Sequence, residues 1–153
     1  MDRSIHSENA AETLRLGDLV RRLTTQELRT PLGEGWTVAA ALAHLAFWDR
    51  RACVLVDRWK GGGVAVSEAD TDVINDSILP LCQAIELRQA GELAVRWAEA
   101  ADRALKEITP ELAAEIDRLG SIRLRRFEHR REHRQEIEKA IAVGPANARR
   151  GET

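Results

Sequence analysis

The chain has 153 residues, enough for one domain with a sizeable core, and its 44% hydrophobic and 31% charged residues describe a globular rather than a disordered protein. A net charge of −2 sets the molecule as a whole apart from strongly basic nucleic-acid binders, and no run approaches the ~18 apolar residues a membrane span needs. The opening MDRSIHSENAAE lacks the apolar stretch of a secretory signal, and two cysteines, Cys53 and Cys82, make no disulfide framework, so a cytoplasmic protein with buried free thiols is expected.

Strand signals are almost absent. There is no tyrosine, and period-two alternation is confined to the short VAV after Gly63. Alanine, leucine, glutamate and arginine, all good helix formers, fill the long segments. A first helix is expected from about Glu8 to Leu23, with Leu14, Leu16, Leu19, Val20 and Leu23 as its apolar stripe. TTQELRTPLGEG then reads as a connection broken by Pro31, Gly33 and Gly35. Thr37 is a good N-cap for a second helix that runs to about Lys60 and stops at Gly61, Gly62 and Gly63. From Gly61 to about Glu86 the sequence reads as a long crossover with one helical patch near Asp70–Leu79.

A third helix covers roughly Leu87–Ile108, carrying Leu93, Val95, Trp97, Ala101, Ala104 and Leu105. Thr109-Pro110-Glu111 places a cap, a first-turn proline and an acid together, and opens a short helix ending at Gly120. The last helix is expected from about Ser121 to Val143, ended by Gly144-Pro145, with a frayed tail ANARRGET. The expected fold is a single all-α domain over residues 1–153, with its core at about 8–143. Four long helices and one long crossover between the second and third make a four-helix bundle the economical architecture.

The segment holding Arg118, Arg123, Arg125, Arg126, Arg130, Arg131 and Arg134 is interleaved with Glu128, Glu132, Glu136 and Glu138 at ion-pair spacing. It reads as a solvated helix face. No aromatic residues interleave as a stacking platform for nucleic acid, and a site that holds an anion is the remaining alternative. Within this segment FEHRREHRQEI places His129 and His133 four residues apart. At ~100° per residue both fall on one arc with Ile122, Ile137 and Ala140, opposite Glu128, Glu132, Gln135 and Lys139. Arg126 falls on the same arc, which implies a snorkelling side chain or an irregular helix start.

On the second helix His44 borders the apolar arc of Ala41, Leu45, Trp48, Ala52, Leu55, Val56 and Trp59, while Arg50, Arg51, Asp57 and Arg58 lie on the other side. Three of the four histidines thus face a common interior from two helices. The i, i+4 pair has Cβ atoms ~5–6 Å apart, close enough to share one ion. Imidazole suits Zn²⁺, Ni²⁺ or Fe²⁺, and three protein nitrogens leave a coordination position open, as in catalytic sites. The competing reading is three core histidines satisfied by hydrogen bonds. Cys53 points away from His44, and the GGG at 61–63 has no preceding strand and no Walker-type lysine, so neither a cysteine nucleophile nor a phosphate loop is expected.

The stretch GWTVAAALAHLAFWDRR, with Trp36-Thr37 opening a helix and His44-Leu45 followed by Trp48-Asp49, resembles the second helix of DinB-like proteins. EHRREHRQEIEKAI resembles their last helix, and the spacing between the two segments also fits. The resemblance spans roughly Glu12–Val143. It implies an up-down-down-up bundle with a long second connection. It also implies a divalent metal held by His44 from the second helix and by His129 and His133 from the last. The wider DinB/YfiT-like superfamily includes mycothiol-dependent maleylpyruvate isomerases and bacillithiol transferases. The isomerase branch carries glutamate where this chain has His129, so the chain looks more like the transferase and plain DinB branches.

The resemblance therefore implies transfer of a low-molecular-weight thiol to a small electrophilic substrate. Trp36 and Trp48 would wall the pocket, unless they serve core packing. Arg126 would hold a substrate carboxylate, unless it forms a surface ion pair. Hydrolysis by a metal-activated water is a second reading, with Asp49 as a poorly angled candidate base. A non-enzymatic metal-binding helical module is the third. A homodimer is compatible with a bundle holding four tryptophans.

Overall fold

The computed structural model describes residues 3–144; Pro145 and the tail ANARRGET lie outside the described residues. The all-α class holds. Seven helices make up most of the described chain, in the order α1 (Arg3–Arg22), α2 (Thr25–Leu28), β1 (Pro31–Gly33), β2 (Trp36–Thr37), α3 (Val38–Gly62), α4 (Thr71–Ala84), α5 (Leu87–Lys106), α6 (Pro110–Leu119) and α7 (Arg126–Val143). None of these helices is long and apolar enough to cross a membrane.

The stretch expected to be a bare connection contains two small elements. Thr24 and Glu27 form a reciprocal capping box that starts α2 and seats Leu28 in the core. An antiparallel hairpin then pairs Pro31 with Thr37 and Gly33 with Trp36. Its turn needs positive φ at Gly33 (102°), Glu34 (50°) and Gly35 (83°), which two glycines make cheap. Thr37 closes the hairpin and caps α3, accepting from the Ala40 N–H at 3.2 Å.

The crossover helix is longer than expected. Asp70 caps α4 through the Val73 N–H, and the helix runs through Pro80 to Ala84. Pro80 is exposed, whereas Ile74, Asn75, Ile78, Leu79 and Cys82 turn inward at helical spacing. Packing against α3 outweighs the one backbone bond the proline forgoes. The short helix α6 matches its signals: Thr109 caps it, and Gly120 ends it at a left-handed φ of 64°.

The last helix begins at Arg126 and not at Ser121. Residues 121–125 alternate in burial, with Ile122 and Leu124 inside and Arg123 and Arg125 outside. No side chain of α7's own N-cap residue binds its first turn. Asn9 of α1 does so instead, donating to the Leu124 carbonyl (3.0 Å) and accepting from the Phe127 N–H (2.9 Å). A tertiary amide thus decides where α7 starts.

The most extensive interface joins α3 to α5; α1 packs on α5 and α7, and α3 also touches α4 and α7. Ala90, Ala94, Ala98 and Ala101 line the buried face of α5, while Leu93, Val95 and Trp97 are only half-buried, so the bulky residues expected in the core yield to small ones. On α1 Leu14 is exposed, and Asn9, Glu12 and Thr13 are buried in its stead. Gly91 shows how close the helices come: a Cβ placed there would lie 2.8 Å from Cγ1 of Val20. Val20 is β-branched on a helix and has almost no rotamer freedom to yield. Gly91→Ala is therefore expected to destabilise the chain by about 1–3 kcal/mol, despite the ~1 kcal/mol gain in helix propensity, as a lowered urea midpoint.

Apolar side chains form two clusters. One is built on Leu16, Leu19, Leu42, Leu45, Ala94 and Ile137, and the other on Leu55, Val56, Trp59, Leu105, Ile116 and Leu124. Along α3 the two are separated by Asp49, and along α5 by Asp102. The layer between them is polar and buried.

Candidate functional site

The polar layer centres on Arg130, which is fully buried. Its Nε donates to Asp49 Oδ2 (2.8 Å) and its Nη2 to Asp49 Oδ1 (3.1 Å) and the Ala98 carbonyl (3.2 Å). Nη1 donates to Asp102 Oδ1 and Thr13 Oγ1, both at 2.8 Å. All five guanidinium N–H donors are thereby used, by groups from α1, α3 and α5. Thr13 in turn donates to Asp102 Oδ2 at 2.7 Å, and Arg126 Nε to Asp49 Oδ1 at 2.8 Å. Burial opposes the charge of Arg130, but the Asp49 and Asp102 carboxylates more than compensate and hold its pKa above the ordinary value. Two arginines of the expected solvated face are thus interior. They could be buried because carboxylates on facing helices pair with them.

This node fixes α7 against its neighbours one residue from His129. The next face of α7 carries Arg126, His129 and His133 at i, i+3 and i+7, and opens on a cavity of about 880 Å³. His44 of α3 meets it from the other side. The ring centroids lie 5.2 Å apart for His44 and His129, 4.9 Å for His44 and His133, and 4.9 Å for His129 and His133. One nitrogen from each ring lies within 4.8 Å of the other two, so the group could hold a metal ion. His44 Nε2 and His129 Nε2 are 3.2 Å apart. Two nitrogens ~2.05 Å from one zinc at the tetrahedral angle would be ~3.3 Å apart, so the donor set fits a cation of that size.

The protonation chemistry agrees. Burial, then the nearby His133 and Arg126 charges, pushes His44 down to about 4. Burial and the charge of Arg126 push His129 down to about 2. Both rings are neutral at neutral pH, the form that ligates metals. His133 Nδ1 is 3.2 Å from Glu136 Oε2, the outer hydrogen bond that orients a ligating imidazole by its other nitrogen. His44 Nδ1 is buried without such a partner.

The remaining expected residues line the same cavity. Trp36, from β2, stands edge-on to His44 with centroids 5.3 Å apart, and Trp48 lies at 6.3 Å. Trp48 Nε1 donates to Asn75 Oδ1 of α4 at 3.1 Å, so the crossover helix braces that wall. Arg126, in place of a surface ion pair, makes a buried one with Asp49. Asp49 is fully buried and spoken for by Arg126 and Arg130. It is not free to serve as the general base considered for hydrolysis.

Arg51, assigned to the polar arc of α3, also lines the cavity. It donates to the Ser67 carbonyl (3.0 Å), Ser67 Oγ (2.8 Å) and the Ser121 carbonyl (3.1 Å), and the Ser67 N–H donates to Ser121 Oγ at 3.0 Å. It thereby staples the crossover to the segment before α7. The cysteines follow expectation: Cys53 and Cys82 are buried free thiols, and burial raises both pKa values. No family model matches the chain, and no match to it is found among curated proteins or among solved structures.

Proposed function

We propose that this chain is a DinB-like protein in which α1, α3, α5 and α7 form an up-down-down-up four-helix bundle around a divalent-metal site. Its reaction is the transfer of a low-molecular-weight thiol to a small electrophilic substrate. The observation that carries this reading is the convergence of His44, His129 and His133, from two helices, at the floor of a large open cavity. A divalent cation bound there supplies Lewis acidity, which lowers the pKa of a coordinated thiol and makes a thiolate available at neutral pH.

The chain's own residues supply the rest. His44, His129 and His133 would hold the ion through one ring nitrogen each. Glu136 orients His133, and Trp36 and Trp48 give the cavity an apolar wall beside His44. The thiol reading draws on the resemblance of the two histidine-bearing segments to the transferase branch. The engagement of Asp49 by two arginines removes that residue as a base for hydrolysis.

The test is elemental analysis of protein purified without a histidine tag, followed by assays of an electrophile panel with and without added thiol. One equivalent of zinc, nickel or iron and thiol-dependent consumption are expected. Metal with thiol-independent turnover would favour hydrolysis, metal without turnover a structural module, and no metal at all would end the proposal.

A further inference from the structure

Arg126 is poorly satisfied for a buried cation. Its side chain is 7% exposed and its Nε is bound to Asp49 Oδ1. Asp49, however, is shared with Arg130, which takes both carboxylate oxygens. Nη2 of Arg126 is buried with no hydrogen-bond partner. Such a group costs free energy comparable to a lost charged hydrogen bond, and in a native structure it calls for a partner.

Among the described residues Arg126 pairs with no carboxylate other than Asp49. Arg51 also lines the cavity, and its hydrogen bonds go only to neutral acceptors of Ser67 and Ser121. Burial, and then the charge of Arg126, lowers its pKa. The two buried arginines, Arg126 and Arg130, share Asp49, and the nearby buried Asp102 pairs with Arg130. Glu34, Glu68, Glu132 and Glu136 line the cavity as exposed residues and form no ion pair with Arg51 or Arg126 among the described residues.

We infer that Arg126 is a carboxylate-binding residue, and that the small molecule reaching the histidine group carries a carboxylate that Arg126 receives through its Nη groups. The inference rests on the functional reading above for the other end of the ligand. Arg126 lies one helical turn before His129, with Cβ atoms ~5–6 Å apart. The carboxylate therefore stands only a few bonds from the atom that approaches the histidines. A planar carboxylate matches the two-donor end of a guanidinium whose Nε is already engaged.

Calorimetric titration with 3-mercaptopropionate and with its methyl ester tests this, on metal-free and zinc-loaded protein at pH 7. The acid is expected to bind wild type about tenfold or more tighter than the ester, the usual scale of a charge-assisted pair. Arg126→Gln is expected to abolish the difference with zinc content unchanged. Arg126→Lys, which keeps the charge and the contact to Asp49, is expected to retain only part of it, and serves if the glutamine variant does not fold. Equal binding of acid and ester by wild type, or an undiminished preference in either folded variant, overturns the assignment. So does inorganic phosphate displacing the acid at equal concentration. The metal-free arm decides the subsite even if wild type holds no zinc, so failure of the metal reading and failure of this one are read separately.

Discussion

Replacing His129 with alanine is expected to lower zinc affinity by more than about 100-fold, the most that loss of an outer-shell partner usually costs a metal site. His129 is not an outer partner. Its Nε2 lies 3.2 Å from that of His44, and its ring centroid is 4.9 Å from that of His133. Burial and the charge of Arg126 keep it neutral far below its ordinary range, so no proton has to leave before it ligates. The metal-free variant is expected to unfold within about 1 kcal/mol of metal-free wild type, because the lost ring borders a cavity rather than filling the core. Inductively coupled plasma analysis reads the first effect and urea denaturation with chelator the second. Alanine variants at 44, 129 and 133 that all keep wild-type metal content would place the ion elsewhere. Loss of metal that lowers only the melting temperature would make the ion structural.

The histidine group was legible in part: periodicity gave the faces, while the common height of His44 with the last-helix pair came only from the resemblance. His129 and His133 share a face by their spacing, and His44 borders an apolar arc whatever the details of packing. The caps at Thr37 and Thr109 and the stop at Gly120 were legible for the same reason, since each depends on a few adjacent residues. Arg130 was not. Its neighbours on α7 are charged and its own burial depends on Thr13, Asp49 and Asp102, which lie far away in the chain. A helix-face pattern assigns such an arginine to solvent. The one available hint was the polar residues on inward arcs of other helices, Asn9 and Thr13 on α1 and Asp102 on α5, which an apolar stripe should not contain. The start of α7 failed for a related reason: helix propensity favoured Ser121, but Asn9 from α1 set the boundary.

Arg130→Met should be the most damaging single substitution in the molecule. Arg130 is the common partner of Asp49 and Asp102, and its removal leaves Asp49 with Arg126 Nε and Asp102 with the Thr13 hydroxyl, both buried. Deleting one member of a buried ion-pair network costs about 3–5 kcal/mol, because the carboxylates left behind keep only part of their partners and cannot hydrate. The methionine fills the volume, so a loss of that size in urea denaturation would report the charges rather than a cavity. Adding Asp102→Asn to the same chain, with Asp49 left to Arg126, removes the stranded carboxylate and should recover part of the loss, giving this neutralised variant a coupling that independent sites would not show. Zinc affinity carries the further information. Arg130 pins α7 to α1, α3 and α5 one residue from His129, so the neutralised variant, even where it regains stability, should bind the metal more weakly than wild type as α7 loses its register. A stability change below about 1 kcal/mol, the range of an exposed pair, would mean that Asp49 and Asp102 reach water without Arg130, and that the apolar clusters alone align the histidines.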